Sequence, residues 1–248
     1  MEKKNTYFAS DFHLGAPSCE ESLVREKKIV KWLSNIQQDA KTIYLVGDIF
    51  DFWFEYKSSI PKGYTRFFGK IAELSDSGTE IIFFTGNHDM WMFDYLEKEL
   101  LVKIIREKIE IEIEGKSFLI AHGDGLGPGD YGYKFIKKIF SNKLCIWMFA
   151  RLHPNFGIGL ANFFSRKSRS QSKNSDEFLG EDKEWLITYA KEKLSKKHFD
   201  YFIFGHRHSP IDINLNENSR YINLGEWISH FTFAKFDGEN LTLDKFLD

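Results

Sequence analysis

Eight side chains able to hold a cation recur along this chain in one format, each at the end of a short apolar run. Asp11 and His13 follow Tyr7-Phe8-Ala9-Ser10, and Asp48 follows Ile43-Tyr44-Leu45-Val46-Gly47. Asn87 and His88 follow the apolar run 79–85 and Gly86, His122 follows Leu119-Ile120-Ala121, and His206 and His208 follow Tyr201-Phe202-Ile203-Phe204-Gly205. Five of the eight histidines sit in these positions, whereas His153, His198 and His230 do not. One histidine at a strand end reads as structural; five, joined by two aspartates and an asparagine, read as ligands. Mixed oxygen and imidazole donors without thiolate suit manganese, iron, zinc or magnesium, and disfavour a closed structural zinc site. Seven ligands (Asp11, His13, Asp48, Asn87, His122, His206 and His208) are too many for one ion and suit two that share a carboxylate, with Asp48 as the natural bridge. Two such cations about 4 Å apart lower the pKa of a shared water and clamp the attacking and leaving oxygens of an in-line displacement at phosphorus. The favoured reaction class is hydrolysis of a phosphoester or phosphoanhydride.

Groups so far apart in sequence need strands to deliver them to one place. Residues 6–10 read as a first strand whose Asp-x-His ending sends both side chains to one side by strand alternation. Leu23, Ile29, Val30, Leu33 and Ile36 predict an amphipathic helix over 22–38 that covers the sheet. The aromatics Phe50, Phe52, Trp53, Phe54 and Tyr56 read as packing, ahead of a helix over 64–75 and a third strand over 79–85. A helix begins near Met90, with Phe93, Leu96, Leu100 and Leu101 on one face. Strict alternation over 108–114 predicts a half-exposed strand with glutamates on its wet face, turned by Glu114-Gly115-Lys116 into a return strand over 117–121. A helix over 182–194 and a strand over 199–204 follow, and then antiparallel strands near 211–215, 220–224, 231–236 and 241–246, joined by Asn and Gly turns. The fold class is α+β, a four-layer αββα sandwich of two sheets with helices outside.

A chain of 248 residues can bury one large core, so the expectation is a single domain over 1–248. A net charge of −2 gives no global attraction to nucleic acid or anionic lipid. Cys19 and Cys145 have no metal-type spacing and fit a reducing cytoplasm. The early strand leaves no room for a signal peptide, and no uncharged apolar run approaches the roughly 18 residues of a membrane span. Within 127–180 the composition changes. Between Asp130 and Asp176 there is no acidic residue, while nine Lys and Arg interleave with aromatics such as Tyr131, Phe135, Phe140, Trp147, Phe156 and Phe163. Helical pieces broken by Pro154, Gly157 and Gly159 predict a cap or lid over 127–180.

Asp11-Phe12-His13, Gly47-Asp48-Ile49-Phe50-Asp51, Gly86-Asn87-His88-Asp89, His122-Gly123-Asp124 and Gly205-His206-Arg207-His208, in this order, resemble the calcineurin-like metallophosphoesterases. The resemblance spans residues 11–208 and implies a β-sandwich flanked by helices. It also implies that Asp11, His13, Asp48 and His208 hold one divalent ion, and Asp48, Asn87, His122 and His206 the other, with manganese expected first. His88 would sit over the metals as proton donor or phosphate-stabilising group, and His88, Asp48 and Asn87 would be catalytic. Asp51 and Asp89 would orient the histidines from behind. Within that family the cationic, apolar insertion and Ser165-Arg166-Lys167-Ser168-Arg169-Ser170 with Asn174 look like the UDP-2,3-diacylglucosamine diphosphatases of lipid A synthesis. That resemblance implies a lipid-linked nucleotide substrate, a helical cap for the acyl chains, and Arg169, Ser170 and Asn174 as substrate contacts. It also implies a cytoplasmic protein peripheral on the inner membrane. His88 stands where the best-characterised branch of that group carries arginine.

Three rival readings differ from this one. A nucleotide, cyclic nucleotide or phosphoprotein substrate has no use for so apolar a cap. A catalytically dead binding scaffold is at odds with intact donors in every motif. A module that binds membrane or nucleic acid through the cap alone leaves the donors unexplained, and no nucleic-acid partner is expected.

Overall fold

Continuous apolar runs that bury both faces assemble the centre of the first sheet. The structure, a computed structural model, describes residues 3–129, 131–172, 178 and 180–247. Strands β1 (Asn5–Ala9), β2 (Ala40–Val46), β3 (Glu80–Phe84) and β4 (Lys103–Ile105) lie parallel in that order. Every residue of β1 is buried, as parallel strands with both faces covered require. On the other side of β1 run the antiparallel strands β10 (Thr232–Phe236) and β11 (Leu241–Lys245).

The second sheet has the order β5 (Ile109–Ile113), β6 (Lys116–Ala121), β7 (Tyr201–Phe204), β9 (Ser219–Leu224) and β8 (Pro210–Asn216). Glu110 and Glu112 are exposed on the β5 edge, in line with the alternating sequence. The chain's tail is therefore not one antiparallel set: β9 runs parallel to β7 in the second sheet, while β10 and β11 return to the first.

Period-two alternation sorts the side chains into layers. Phe8, Tyr44, Val46, Ile82 and Phe84 meet Phe118, Ile120, Ile203, Ile222 and Leu224 between the sheets. On the outer face of the first sheet, Tyr7, Ile43, Leu45, Ile81 and Phe83 pack under α1 (Cys19–Ile36), α2 (Thr65–Asp76) and α3 (Tyr95–Leu100). Leu119, Phe202, Phe204 and Tyr221 do the same under α7 (Trp185–Leu194). These are the four layers of an αββα sandwich.

Two further elements of the sandwich differ from the sequence reading, and in the insertion one helix runs unbroken from Pro154 through Gly157 and Gly159. The helix placed near Met90 begins only at Tyr95, because residues 91–94 are otherwise engaged. Trp91 bridges Phe54, and the Glu55 carboxylate accepts from the amides of Phe93, Asp94 and Tyr95 at 2.7, 2.8 and 3.2 Å. Strand β4 is three residues long, too short to show a period.

Between β6 and α7 lie α4 (Tyr131–Phe140), α5 (Lys143–Phe149) and α6 (Pro154–Ser172). No residue of α4 or α5 is buried. Their anchor is Phe149, whose ring meets Phe52, Phe54, Tyr56 and Trp91 at centroid distances of 6.4, 4.7, 6.4 and 5.9 Å. The aromatic run after β2 thus serves packing, part of it against the helices of this insertion.

Candidate metal centre

The donor side chains converge beyond the C-terminal ends of β1, β2, β3, β6 and β7, where parallel sheets place their chemistry. Strand alternation is not what brings Asp11 and His13 together. Both lie past the end of β1 in left-handed backbone, with φ of 54° and 44°, and Asp48, His206 and His208 share that conformation at 53°, 67° and 55°. Five of the nine non-glycine residues with positive φ among the described residues are thus donors. The turns are held to one another by main chain. Asp11 and His13 amides donate to Gly47 and Asp48 carbonyls at 3.0 and 2.9 Å, and the Gly205 amide donates to the His122 carbonyl at 2.9 Å.

The donors form two groups, Asp11 with His13 and His208, and Asp48 with His122 and His206, and a third group joins His13 to Asp51 and His88; in each the ligand atoms lie within 4.8 Å of one another. In the first, Asp11 Oδ1 lies 3.4 Å from His208 Nε2 and 3.7 Å from His13 Nε2, and the two Nε2 atoms are 3.1 Å apart. In the second, Asp48 Oδ2 is 3.3 Å from His122 Nε2. The His122 Nδ1–H donates to the Val46 carbonyl at 2.8 Å, which turns Nε2 toward Asp48. The other oxygen of Asp48 accepts from the His88 amide at 2.9 Å, tying the β2 turn to the β3 turn.

The donor set fits divalent cations. Asp11 Oδ1, Asn87 Oδ1 and His122 Nε2 are buried with no hydrogen-bond partner, a costly arrangement for polar atoms unless a cation satisfies them. Electrostatics keep both aspartates anionic. Burial works against the Asp11 carboxylate, yet His13 and His208 hold it well below the usual range; burial likewise opposes the charge on Asp48, and His122 outweighs it. The same pairing acts on His122, which burial alone would lower and Asp48 raises to about 10. His206 and His88 are both pushed down to about 4 by burial.

His88 sits beside the first group, its ring centroid 5.0 Å from that of His13, and its Nδ1–H donates to the Asp51 carbonyl at 2.9 Å. The Asp51 carboxylate is 3.7 Å from His13 Nδ1 and 3.9 Å from His88 Nδ1. Asp89 does not orient a histidine. Its oxygens accept from the amides of Gly86 at 2.7 Å and of Ile49 and Phe50 at 2.8 and 3.3 Å, so it clasps the β2 and β3 turns. Burial and the nearby Asp48 raise it to about 7. Arg169 and Ser170 fall within α6, where their backbone alone is described, and Asn174 lies outside the described residues.

Several supporting residues escaped the sequence reading. The N-terminal half of α1 buries Ser22, Arg25 and Glu26, while Leu23 is exposed. Ser22 accepts from the Gly15 amide at 2.7 Å, and the Arg25 guanidinium donates to the carbonyls of His13, at 2.6 Å, and Ala16. Their signal was legible: polar residues at 22, 25 and 26 continue the spacing of Ile29, Leu33 and Ile36. Arg207, between two donor histidines, makes a buried two-pronged pair with Glu184, both distances 2.8 Å. From the insertion, Tyr133 donates to Asp124 at 2.6 Å with Lys137 on the same oxygen, and Ser165 donates to Asp51 Oδ2 at 3.0 Å.

The family model of the calcineurin-like phosphoesterases matches residues 5–210. The UDP-2,3-diacylglucosamine hydrolase of Porphyromonas gingivalis is 40% identical over 259 residues, covering 99% of each chain. The protein of that name from Aeromonas hydrophila subsp. hydrophila is 26% identical, covering 90% of each. Among solved structures, Vps29 of Chaetomium thermophilum aligns with 97% of this chain and 85% of its own at a TM-score of 0.48 and 9% identity.

Proposed function

This chain belongs to the calcineurin-like phosphoesterase family, and we propose that it hydrolyses the pyrophosphate of UDP-2,3-diacylglucosamine to 2,3-diacylglucosamine 1-phosphate and UMP, a step of lipid A biosynthesis. The observation that carries this reading is the 40% identity to a UDP-2,3-diacylglucosamine hydrolase over 99% of both chains. Asp11, His13, Asp48 and His208 would hold one divalent cation, and Asp48, Asn87, His122 and His206 the other. When bound, two such ions supply an activated water and charge neutralisation at the phosphorus under attack.

The chain's own residues set up the rest. Left-handed turns fix the donors before substrate arrives, so little reorganisation is needed at the moment of reaction. His88, oriented by its Nδ1–H bond to Asp51, leaves Nε2 to take up a proton and, once protonated, to donate it to a phosphoryl or leaving oxygen. Asp89 and Arg25 hold the turns themselves. Above the centre, α4 to α6 present exposed Tyr131, Phe135, Leu144, Trp147, Phe156 and Phe163 among lysines and arginines. That chemistry suits a diphosphate joined to acyl chains, and it also suits peripheral contact with an anionic bilayer. No helix among the described residues is long and apolar enough to cross a membrane.

The test is Mn²⁺-dependent release of UMP from UDP-2,3-diacylglucosamine, with Asp48→Ala as control. Metal-dependent UMP release that the substitution abolishes is the expected result. An inert lipid substrate beside active cleavage of an aryl phosphodiester would keep the phosphoesterase and discard the lipid assignment, in line with the His88 departure.

A further inference from the structure

Among the described residues of the insertion, Ser165 is the one whose hydroxyl reaches Asp51 and His88. It is carried by α6, whose N-terminal part is pressed against the sandwich at Gly157, where an added Cβ would meet the Tyr56 hydroxyl and lie 3.3 Å from the Phe149 ring. Eight residues further along, about 12 Å of helix rise, Ser165 Oγ lies 3.0 Å from Asp51 Oδ2, 3.3 Å from His88 Nδ1 and 3.5 Å from the Asp51 carbonyl oxygen. The proton directions are forced. A carbonyl can only accept, so His88 Nδ1 carries the hydrogen and donates it to Asp51 at 2.9 Å. The serine hydroxyl in turn has an anionic acceptor in the Asp51 carboxylate, leaving its own oxygen to the flank of the same Nδ1–H.

We propose that Ser165 is a positioning residue, a latch by which the seating of α6 sets Asp51 and through it the ring of His88. The inference rests on the reading of the centre as a phosphoesterase. The geometry gives the latch a direction. Asp51 belongs to the rigid turn after β2, its amide donating to the Leu14 carbonyl at 2.9 Å, while α6 belongs to an insertion with few buried contacts. Of the two partners the helix is therefore the one that moves. With α6 seated, the hydroxyl completes the cradle of His88; with α6 lifted, the Asp51 carboxylate turns to water or to its histidine neighbours, and the ring, left with its bond to the Asp51 carbonyl alone, loses the second contact that fixes its aim. A lipid-linked substrate that enters under the helices and draws α6 down would thereby assemble the centre on arrival, a form of induced fit. Asp124, held by Tyr133 and Lys137 of α4, ties the opposite side of the insertion to the turn bearing His122, and no contact of that side reaches His88 among those described.

Ser165→Ala, Ser165→Thr and His88→Ala, singly and with Ser165→Ala added to His88→Ala, test the latch. With an aryl phosphodiester too small to touch the acyl-binding surface, Ser165→Ala is expected to lower kcat about tenfold at nearly unchanged KM, the worth of one hydrogen bond to a charged group. Ser165→Thr, which keeps the hydroxyl, restores most of it. In the His88→Ala background the alanine at 165 costs nothing more. A loss confined to KM for the lipid nucleotide, or an equal loss with and without His88, would overturn the proposal, since a residue that only seats the helix or touches substrate behaves so. A second readout needs no turnover: in ¹H–¹⁵N spectra of the imidazoles, the His88 Nδ1–H signal must shift and exchange faster with water in Ser165→Ala. An unchanged signal overturns the latch even if the protein proves to hydrolyse another substrate, while absent turnover with a shifted signal discards the proposed function alone.

Discussion

The residues of this centre are held in conformations that their types do not favour. Asp11, His13, Asp48, His206 and His208 all sit in left-handed backbone, at a cost of about 1–2 kcal/mol each. Such strain persists where the surroundings over-determine it, and here neighbouring turns bond each other's main chain. Asp48 is the donor common to both cations in the proposed scheme. Asp48→Ala is expected to reduce hydrolysis by more than about 100-fold, beyond what the loss of a supporting group costs, and to lower the bound metal per chain measured by plasma mass spectrometry. Gly86 makes the neighbouring test. A Cβ there would meet the Asp48 carboxylate and lie 2.6 Å from its amide nitrogen, both fixed by the turn. Gly86→Ala is therefore expected to displace Asp48 and abolish activity; the circular dichroism of the purified variant separates this from global unfolding. Retention of full metal content would show that the turn can yield.

At the scale of elements, the helices do more than cover sheets. Helix α1 uses Ile29, Trp32, Leu33 and Ile36 to bury itself and Ser22, Arg25 and Glu26 to hold what lies beyond its N-terminal half. Glu26 accepts from the amides of Arg66 and Phe67 at 2.8 and 3.0 Å, serving a helix α2 whose own N-cap, Tyr64, offers no side-chain bond. Glu26→Ala is expected to cost about 1–2 kcal/mol in urea unfolding with kcat unchanged, since the hydrogen bonds described for its carboxylate go to α2 amides and not to the centre. Helix α7 is fastened by the Glu184–Arg207 pair. Glu184→Ala is expected to destabilise by about 3–5 kcal/mol, because it leaves a buried guanidinium without its carboxylate, and the double change Glu184→Leu with Arg207→Met recovers most of that. These cases mark what the sequence disclosed. Apolar runs ending in Asp, Asn or His were legible because burial dictates the run and chemistry the ending. The left-handed turns were not, since none of Asp11, His13, Asp48, His206 or His208 is a residue that demands positive φ. Nor was Ser165, because nothing local in a serine-rich helix says which hydroxyl faces the centre. Helix α3 was misplaced for a related reason: the Glu55 carboxylate that fixes its start lies forty residues upstream.

The whole molecule joins a rigid sandwich to a lightly anchored insertion, and the two should respond differently to perturbation. The sandwich has three apolar layers and does not depend on a cation to close. Chelation is expected to abolish hydrolysis and leave the far-ultraviolet circular dichroism intact. The melting temperature should fall by roughly 5–10 °C, the worth of a ligand held at about 100 times its dissociation constant in a domain of this size. The insertion is the opposite case. Helix α4 turns Tyr133 and Lys137 toward Asp124, while Phe135 and Ile139 point away, with Phe135 65% exposed. An exposed apolar face beside Lys138 suits the proposed contact with an anionic bilayer, which offers both complements. Burying Phe135 and Ile139 contributes about 1.5–3 kcal/mol each. Phe135→Ser with Ile139→Ser should therefore weaken co-sedimentation with anionic vesicles by more than tenfold, while cleavage of a small aryl phosphodiester, which needs no bilayer, stays at the level of the unsubstituted protein. If vesicle binding persists and lipid-substrate KM alone rises, those side chains line the acyl path and the bilayer is met elsewhere.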